Sequence, residues 1–148
     1  MKLNLGSGGR NYSGYISLDK NPGVKPNVIH DIEKKLPFPD NHFDEVRAHH
    51  ILEHIHTEKK TFVMYEIWRV LKPDGIADIE LPEFPHPQAV MDPTHFSLWH
   101  RNSFMYYEHN SPFRDAFVTH SMEPVPQFEV ISSEGDGFLL KIKLKAVK

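Results

Sequence analysis

The chain contains no cysteine, which removes disulfide frameworks, thiolate metal sites and cysteine nucleophiles from its chemistry. It also lacks any run near the roughly 18 consecutive apolar residues of a membrane span, and its first residues do not follow the basic, apolar, small-residue order of a secretory leader. No membrane association and a cytoplasmic location are the expectations. A basic excess is missing too. Lys and Arg number 17 against 20 Asp and Glu, a net charge of −3, which argues against nucleic acid as a partner because phosphate neutralisation needs a basic face. There are no internal repeats and no low-complexity tracts. Apolar residues at 39% and charged residues at 25% of 148 are ordinary globular figures, so one domain over 1–148 is expected. What is abundant is histidine and proline, 11 and 12 residues, crowded into the middle of the chain.

Short apolar runs alternate with turn signals through the first half. Lys2 to Leu5 reads as a strand that ends in the loop Gly6-Ser7-Gly8-Gly9; Tyr15 to Leu18 stops at Asp19, and Asn27 to His30 stops at Asp31. Phe43 to His49 reads as a fourth strand that gives way near His50 to a helical turn containing Leu52, Glu53 and His54. The clearest helix runs from Thr57, taken as its N-cap, to Leu71, with Val63, Ile67, Val70 and Leu71 on one stripe, and Pro73 and Gly75 as its stop. Gly75 to Leu81 alternates as a half-buried strand.

From Pro82 to Pro126 the composition turns to proline, histidine and aromatics, with one expected helix near Asn102 to His109. This stretch reads as a surface elaboration, with 83–125 as a lid or acceptor-site insertion. Two strands close the chain, Phe128 to Ser133 and Phe138 to Val147, with Lys141, Lys143 and Lys145 as the charged guard of a strand near a sheet edge. Strands joined by helices, then a hairpin, imply an α/β fold with a mostly parallel sheet and an antiparallel C-terminal strand. In such sheets ligands bind beyond the carboxyl ends of the strands. Gly6 to Gly9, Asp19, Asp31 and His49-His50 all lie at those ends.

The loop after the first strand suggests a nucleotide, but the dinucleotide fingerprint would need a third glycine where Asn11 stands. Only about one helical turn fits before the next strand, and Asp19 with Asp31 is a poor setting for phosphates. A cationic, phosphate-free nucleoside suits them better: one carboxylate can accept both ribose hydroxyls, and the other an adenine amino hydrogen.

Leu3-Asn4-Leu5-Gly6-Ser7-Gly8, Gly14-Tyr15-Ile16-Ser17-Leu18-Asp19, His30-Asp31, Leu36-Pro37-Phe38-Pro39-Asp40, Phe43-Asp44-Glu45-Val46, Leu52-Glu53-His54 and Arg69-Val70-Leu71-Lys72-Pro73-Asp74-Gly75 follow in order. In this the chain resembles the small class I S-adenosylmethionine-dependent methyltransferases over roughly residues 2 to 82, and the Asp92-Pro93-Thr94-His95 box of a subgroup recurs later. The resemblance implies a seven-stranded Rossmann-like sheet with its last strand antiparallel and helices on its faces. It implies S-adenosylmethionine as cofactor, held by Asn4, Gly6, Ser7 and Gly8 beside the methionine part, Asp19 with Lys20 at the ribose, and Asp31 with Ile32 at the adenine. His49 and His50 would border the methyl group.

Two departures stand out. The usual acid two residues before the first loop glycine is Asn4, without the charge that favours a cationic ligand. The helices that normally precede the first strand are absent, as though trimmed at the N-terminus, and the helix between the first two strands is nearly deleted. One sheet face is then thinly covered, which invites a homodimer or another partner.

Each residue also has a plainer reading. The glycines could make only a tight turn, the aspartates could be solvated strand ends, and Trp99, Phe104, Tyr106 and Tyr107 could be packing residues. His49, His50, His54 and His56 suggest a metal, but no motif such as H-E-x-x-H fits and none is expected. His30, His42 and His56 read as solvated. The leading expectation is transfer of a methyl group to an O or N nucleophile of an unidentified acceptor, small molecule or macromolecule, with His54, His95 and His50, in that order, as candidate bases. The alternatives are a non-catalytic cofactor-binding or assembly protein and a His-rich metallohydrolase.

Overall fold

A computed structural model describes all 148 residues. Seven strands form one sheet: β1 (Lys2–Leu5), β2 (Tyr15–Asp19), β3 (Val28–Ile29), β4 (Phe43–His49), β5 (Leu71–Pro82), β6 (Phe128–Gly135) and β7 (Leu139–Ala146). Their spatial order is β3-β2-β1-β4-β5-β7-β6. The first five strands pair in parallel, and β7 runs antiparallel to both β5 and β6. The chain order reverses between β1 and β4, so the crevice above those two strands is the topological switch point.

Strand alternation sorts the two faces. Leu3, Leu5, Leu18, Val46, Ala48, Ala77, Ile79, Leu81, Leu140, Ile142 and Leu144 enter one core together with Val63, Met64, Ile67 and Val70 of helix α1 (Lys60–Val70). Val63, Met64, Ile67 and Val70 recur at helical spacing on the inward side of α1, and Phe62 and Trp68 pack partly buried against the same core, so packing rather than intrinsic propensity holds the helix. Thr57 is not the cap expected of it. It opens a 3-10 turn, and its hydroxyl donates to the Phe96 carbonyl instead. The helix passes straight into β5 at Leu71, and the chain bulges over Lys72 to Gly75, where Asp74 takes a φ of +62°.

Glu66 and Arg69, on the flank of α1, are 2% and 6% exposed. Arg69 donates to both Glu66 oxygens at 2.7 Å, to the carbonyls of Leu36 and Phe38, and to Asp40, while the Leu36 N–H donates to Glu66. The loop Leu36 to Asp40 is thereby fastened to the helix ahead of β4.

The opposite face carries polar rows that cross the sheet. Tyr15, Lys2, Glu45, Ile76, Lys145 and Glu129 form one, and Ser17, Asn4, Arg47, Asp78, Lys143 and Ser132 the next. Opposite charges sit side by side, as in Lys2–Glu45 at 2.8 Å and Lys141–Glu80 at 3.4 Å, which is the favourable cross-strand arrangement. The Tyr12 ring covers Arg47 at 4.3 Å. The face is polar and carries ion pairs along its rows, so it does not call for a second copy to bury it. The β7 lysines serve this face rather than guarding an edge, because β6 is the edge strand.

The segment after β5 corrects the sequence reading. Trp99, Phe104 and Tyr107 are 1%, 1% and 4% exposed and belong to the core. The indole N–H of Trp99 donates to the Leu52 carbonyl, and Lys60 lies 4.0 Å over the same ring. Burial lowers the Lys60 ammonium to about 8, offset in part by that ring and by its bond to the Leu98 carbonyl. The expected helix is a 3-10 stretch over Arg101–Tyr106, and two further helices occur, α2 (Gln88–Met91) and α3 (Pro112–His120). No helix is long and apolar enough to cross a membrane.

Candidate active site

The loop after β1 turns back on left-handed glycines. Gly6 has φ +62°, and a Cβ there would lie 2.4 Å from the Ile51 side chain, so only glycine fits. Gly8 has φ +52°, and a Cβ at this position would meet nothing within 4 Å, so its side faces open space where a ligand could approach. The Gly8 N–H donates to Asp19 Oδ2 at 2.9 Å, and the Asn21 N–H donates to Asp19 Oδ1 at 2.8 Å. Asp19 thus ties the first loop to the end of β2 while each oxygen keeps a lone pair for another donor. Asn4 is buried and spends its amide hydrogen on the Arg10 carbonyl, bracing the far side of the loop.

A crevice of about 330 Å³ opens at the strand ends. Gly6, Asp19, Lys20, Asp31 and Ile32 line it on one side, and Ile51, His54, Thr94 and Phe96 on the other. Across the glycine loop a second recess of about 250 Å³ is lined by Asn4, Ser7, Gly8, Arg10, Tyr12, Arg47, His49 and His50, with Gly6 shared between the two. Buried in this region, Ser7 Oγ and Arg47 Nε have no hydrogen-bond partner. Such groups are costly to leave unpaired, and an incoming carboxylate or hydroxyl would satisfy them. Acceptor carboxylates at one end, orphaned donors at the other and no phosphate cradle between fit a nucleoside joined to an amino-acid moiety.

The histidines divide. His54 lines the main crevice, and its Nδ1 is 3.1 Å from the Thr94 carbonyl. His95 is not a lining residue but packs edge-on against His54 with ring centroids 4.9 Å apart. His50 follows β4 in a left-handed conformation, φ +53°, so it shares no helix face with His54. Its ring contacts Glu53 and Glu80, and Glu53 chiefly raises its pKa. That setting favours the imidazolium and suits a base poorly. His49 belongs to the open face, 3.3 Å from Asp78. His56 leaves the suspected histidine cluster altogether: it bonds Glu33 and stacks on Phe96.

Sequence reasoning missed Glu33, His30, Ile51 and Phe96 in the crevice and Arg10 and Arg47 in the recess. The outward alternation of β4, which places Arg47 beside His49, was the available signal for Arg47. Nothing local marks Glu33, which is brought in by the turn after β3.

A family model described as methyltransferase domain matches residues 10–79. No curated protein sequence matches the chain. Among solved structures, a chain of the complex between the Haloferax volcanii Trm112 methyltransferase activator and a methyltransferase is similar over 99% of this chain and 82% of its own, with a TM-score of 0.69 and 16% identity. Burkholderia thailandensis 1,6-didemethyltoxoflavin-N1-methyltransferase, solved with bound 1,6-didemethyltoxoflavin and S-adenosylhomocysteine, is similar over 99% of this chain and 71% of its own, at TM-score 0.65 and 13% identity. A SAM-dependent methyltransferase from Archaeoglobus fulgidus covers 97% and 85%, at 0.65 and 16%. Identities this low speak for the fold alone, while the domain match runs from Arg10 through most of β5 and across Asp19, Asp31 and His54: over residues 10–79 the chain is similar to a methyltransferase domain.

Proposed function

We propose that the chain, as one domain over 1–148, transfers the sulfonium methyl group of S-adenosylmethionine to an oxygen or nitrogen of an acceptor, small molecule or macromolecule, in the cytoplasm. The observation that carries this reading is the crevice in which Gly6, Asp19, Asp31 and His54 meet at the ends of four different strand segments. The cofactor, when bound, supplies an activated methyl carbon with a thioether leaving group. Asp19 accepts the ribose hydroxyls, Asp31 accepts from the adenine amino group with Ile32 against the ring, and Lys20 flanks them. Gly8 lets the backbone approach, and Ser7 and Arg47 donate to the amino-acid end.

The chain's catalytic task is then to align the acceptor in line with the methyl carbon and sulfur and to keep water out. When the acceptor oxygen or nitrogen forms its bond to carbon, the carbon–sulfur bond breaks and the acceptor's proton must leave. His54 and His95 serve that side of the crevice, and His50, held between two carboxylates, is demoted from the candidate bases. The segment 84–96, which carries Thr94, His95 and the exposed side chain of Phe96, covers the acceptor. The stretch 97–107 is its anchor, which narrows the lid expected over 83–125.

Replacing Asp19 by alanine should weaken S-adenosylhomocysteine binding by about 1.5–3 kcal/mol, roughly 10- to 150-fold, the range for hydrogen bonds to a charged group. Calorimetry on the folded variant tests this. Unchanged affinity would remove Asp19 from the ribose and with it the proposed pose.

A further inference from the structure

Glu53 sits in the 3-10 turn Leu52–His54 and is 3% exposed. Its Oε1 lies 3.5 Å from His50 Nδ1, while its Oε2 is buried with no hydrogen-bond partner. Cofactor binding gives this carboxylate no task. One ligand-capable atom from each of Glu53, His54 and His95 lies within 4.8 Å of the other two.

The hydrogen positions on the two imidazoles follow from their neighbours. His54 Nδ1 lies 3.1 Å from the Thr94 carbonyl and 3.1 Å from Thr94 Oγ1, whose own hydrogen goes to Asp92 Oδ1 at 2.6 Å, and His95 Nδ1 lies 3.3 Å from the Ala89 carbonyl. A carbonyl only accepts, so each Nδ1 carries the hydrogen and each neutral ring keeps its lone pair on Nε2. An imidazole oriented by an N–H bond to a backbone carbonyl, with its other nitrogen free, is the outer arrangement that metal-ligating histidines use. Each ring thus keeps one nitrogen, Nε2, able to bind a cation, in a cluster that also holds the Glu53 carboxylate. Asp92 adds negative charge at the rim, its Oδ2 lying 3.8 Å from His95 Nε2.

We propose that Glu53, His54 and His95 bind one divalent transition-metal ion of the zinc type. Two imidazoles and one carboxylate leave coordination positions open, as in sites where a metal acts on a bound molecule. Because His54 also lines the crevice, an acceptor oxygen entering beside it would complete the coordination, and the ion would ease loss of the acceptor's proton. The ligand set joins the turn after β4 to the Asp92-Pro93-Thr94-His95 segment, so the ion would also fasten that segment over the crevice. The site stands on its own geometry and does not depend on the methyltransferase reading.

The test is calorimetric titration of chelator-stripped protein with Zn²⁺, with neither cofactor nor acceptor present, and with Co²⁺ as a visible-absorption probe of the ligands. One ion per chain is expected, with affinity lowered at least ~100-fold in His95→Ala and in Glu53→Gln, since losing a ligand costs more than the 10–100-fold of losing its outer partner. Histidines outside the cluster supply the control, and His42→Ala and His120→Ala should bind as the wild type does. Should Glu53→Gln fail to fold, His95→Ala on the surface-facing segment still decides the question. Absence of binding, or binding that His95→Ala leaves intact, would overturn the site and leave Glu53 as a proton partner of the histidines.

Discussion

Replacing Arg69 by methionine should destabilise the fold by about 3–5 kcal/mol, the cost of removing one partner from a buried ion pair. Methionine replaces the length of the side chain and none of its donors. Glu66 would remain 2% exposed with a charge facing only the Leu36 N–H, and the carbonyls of Leu36 and Phe38 would lose their donors. Asp40 contributes little to the total, since its side chain is 69% exposed. Against a typical total of about 5–15 kcal/mol, such a loss is large. Urea denaturation with an unchanged slope would measure it. Adding Glu66→Gln to Arg69→Met should recover part of the loss, because the stranded charge is what costs most. A single-variant loss under about 1 kcal/mol would mean the loop Leu36 to Asp40 is not held by this pair.

His54→Ala should lower methyl transfer by about 10²–10⁴-fold, the usual contribution of a positioned proton acceptor, and His95→Ala should lower it too, through the loss of its contact with His54. Cofactor affinity should stay within a fewfold. The separation follows from placement. His54 stands across the crevice from Asp19 and Asp31, and His95 reaches the site only through its contact with His54. The rate loss is expected whether the imidazoles take the acceptor's proton themselves or hold an ion that does. Acceptors are found by following S-adenosylhomocysteine production with the wild-type protein, and the variants are then compared on the acceptor that responds. Normal turnover in both variants would make the pair a structural clasp for segment 84–96.

Strand ends were the most legible part of the sequence. β1 and β4 begin and end where alternation and turn residues place them, and Asp19, Asp31 and Gly6 to Gly8 follow at the predicted edge because a parallel sheet gathers such ends on one side. Beyond β5 the packing role of Trp99, Phe104 and Tyr107 was legible from their aromatic character, but how the segment brings them inward was not. Trp99, Phe104 and Tyr107 lack a regular period, since a proline-rich chain carries them inward through 3-10 turns and hydrogen bonds to Leu52 and Leu98 rather than along a helix face. Helix α3 was missed for the opposite reason. None of its residues is buried, so no apolar stripe announces it, although Ser111 as cap and Pro112 in the first turn were available signals. Glu53 looked like an ordinary polar member of a helical turn. Only the tertiary structure shows that its short turn buries it, beside His95 from a later segment of the chain.

Every role proposed for the crevice rests on the cofactor lying at the strand ends, over the β1–β4 switch point. Amide chemical-shift mapping of the isotope-labelled protein during titration with S-adenosylhomocysteine reads that placement residue by residue. Saturable shifts are expected at Gly8, Lys20, Ile32 and Glu33, with Asp78 and Lys143 on the open face unmoved. No shifts at saturating ligand, or shifts confined to the open face, would contradict it.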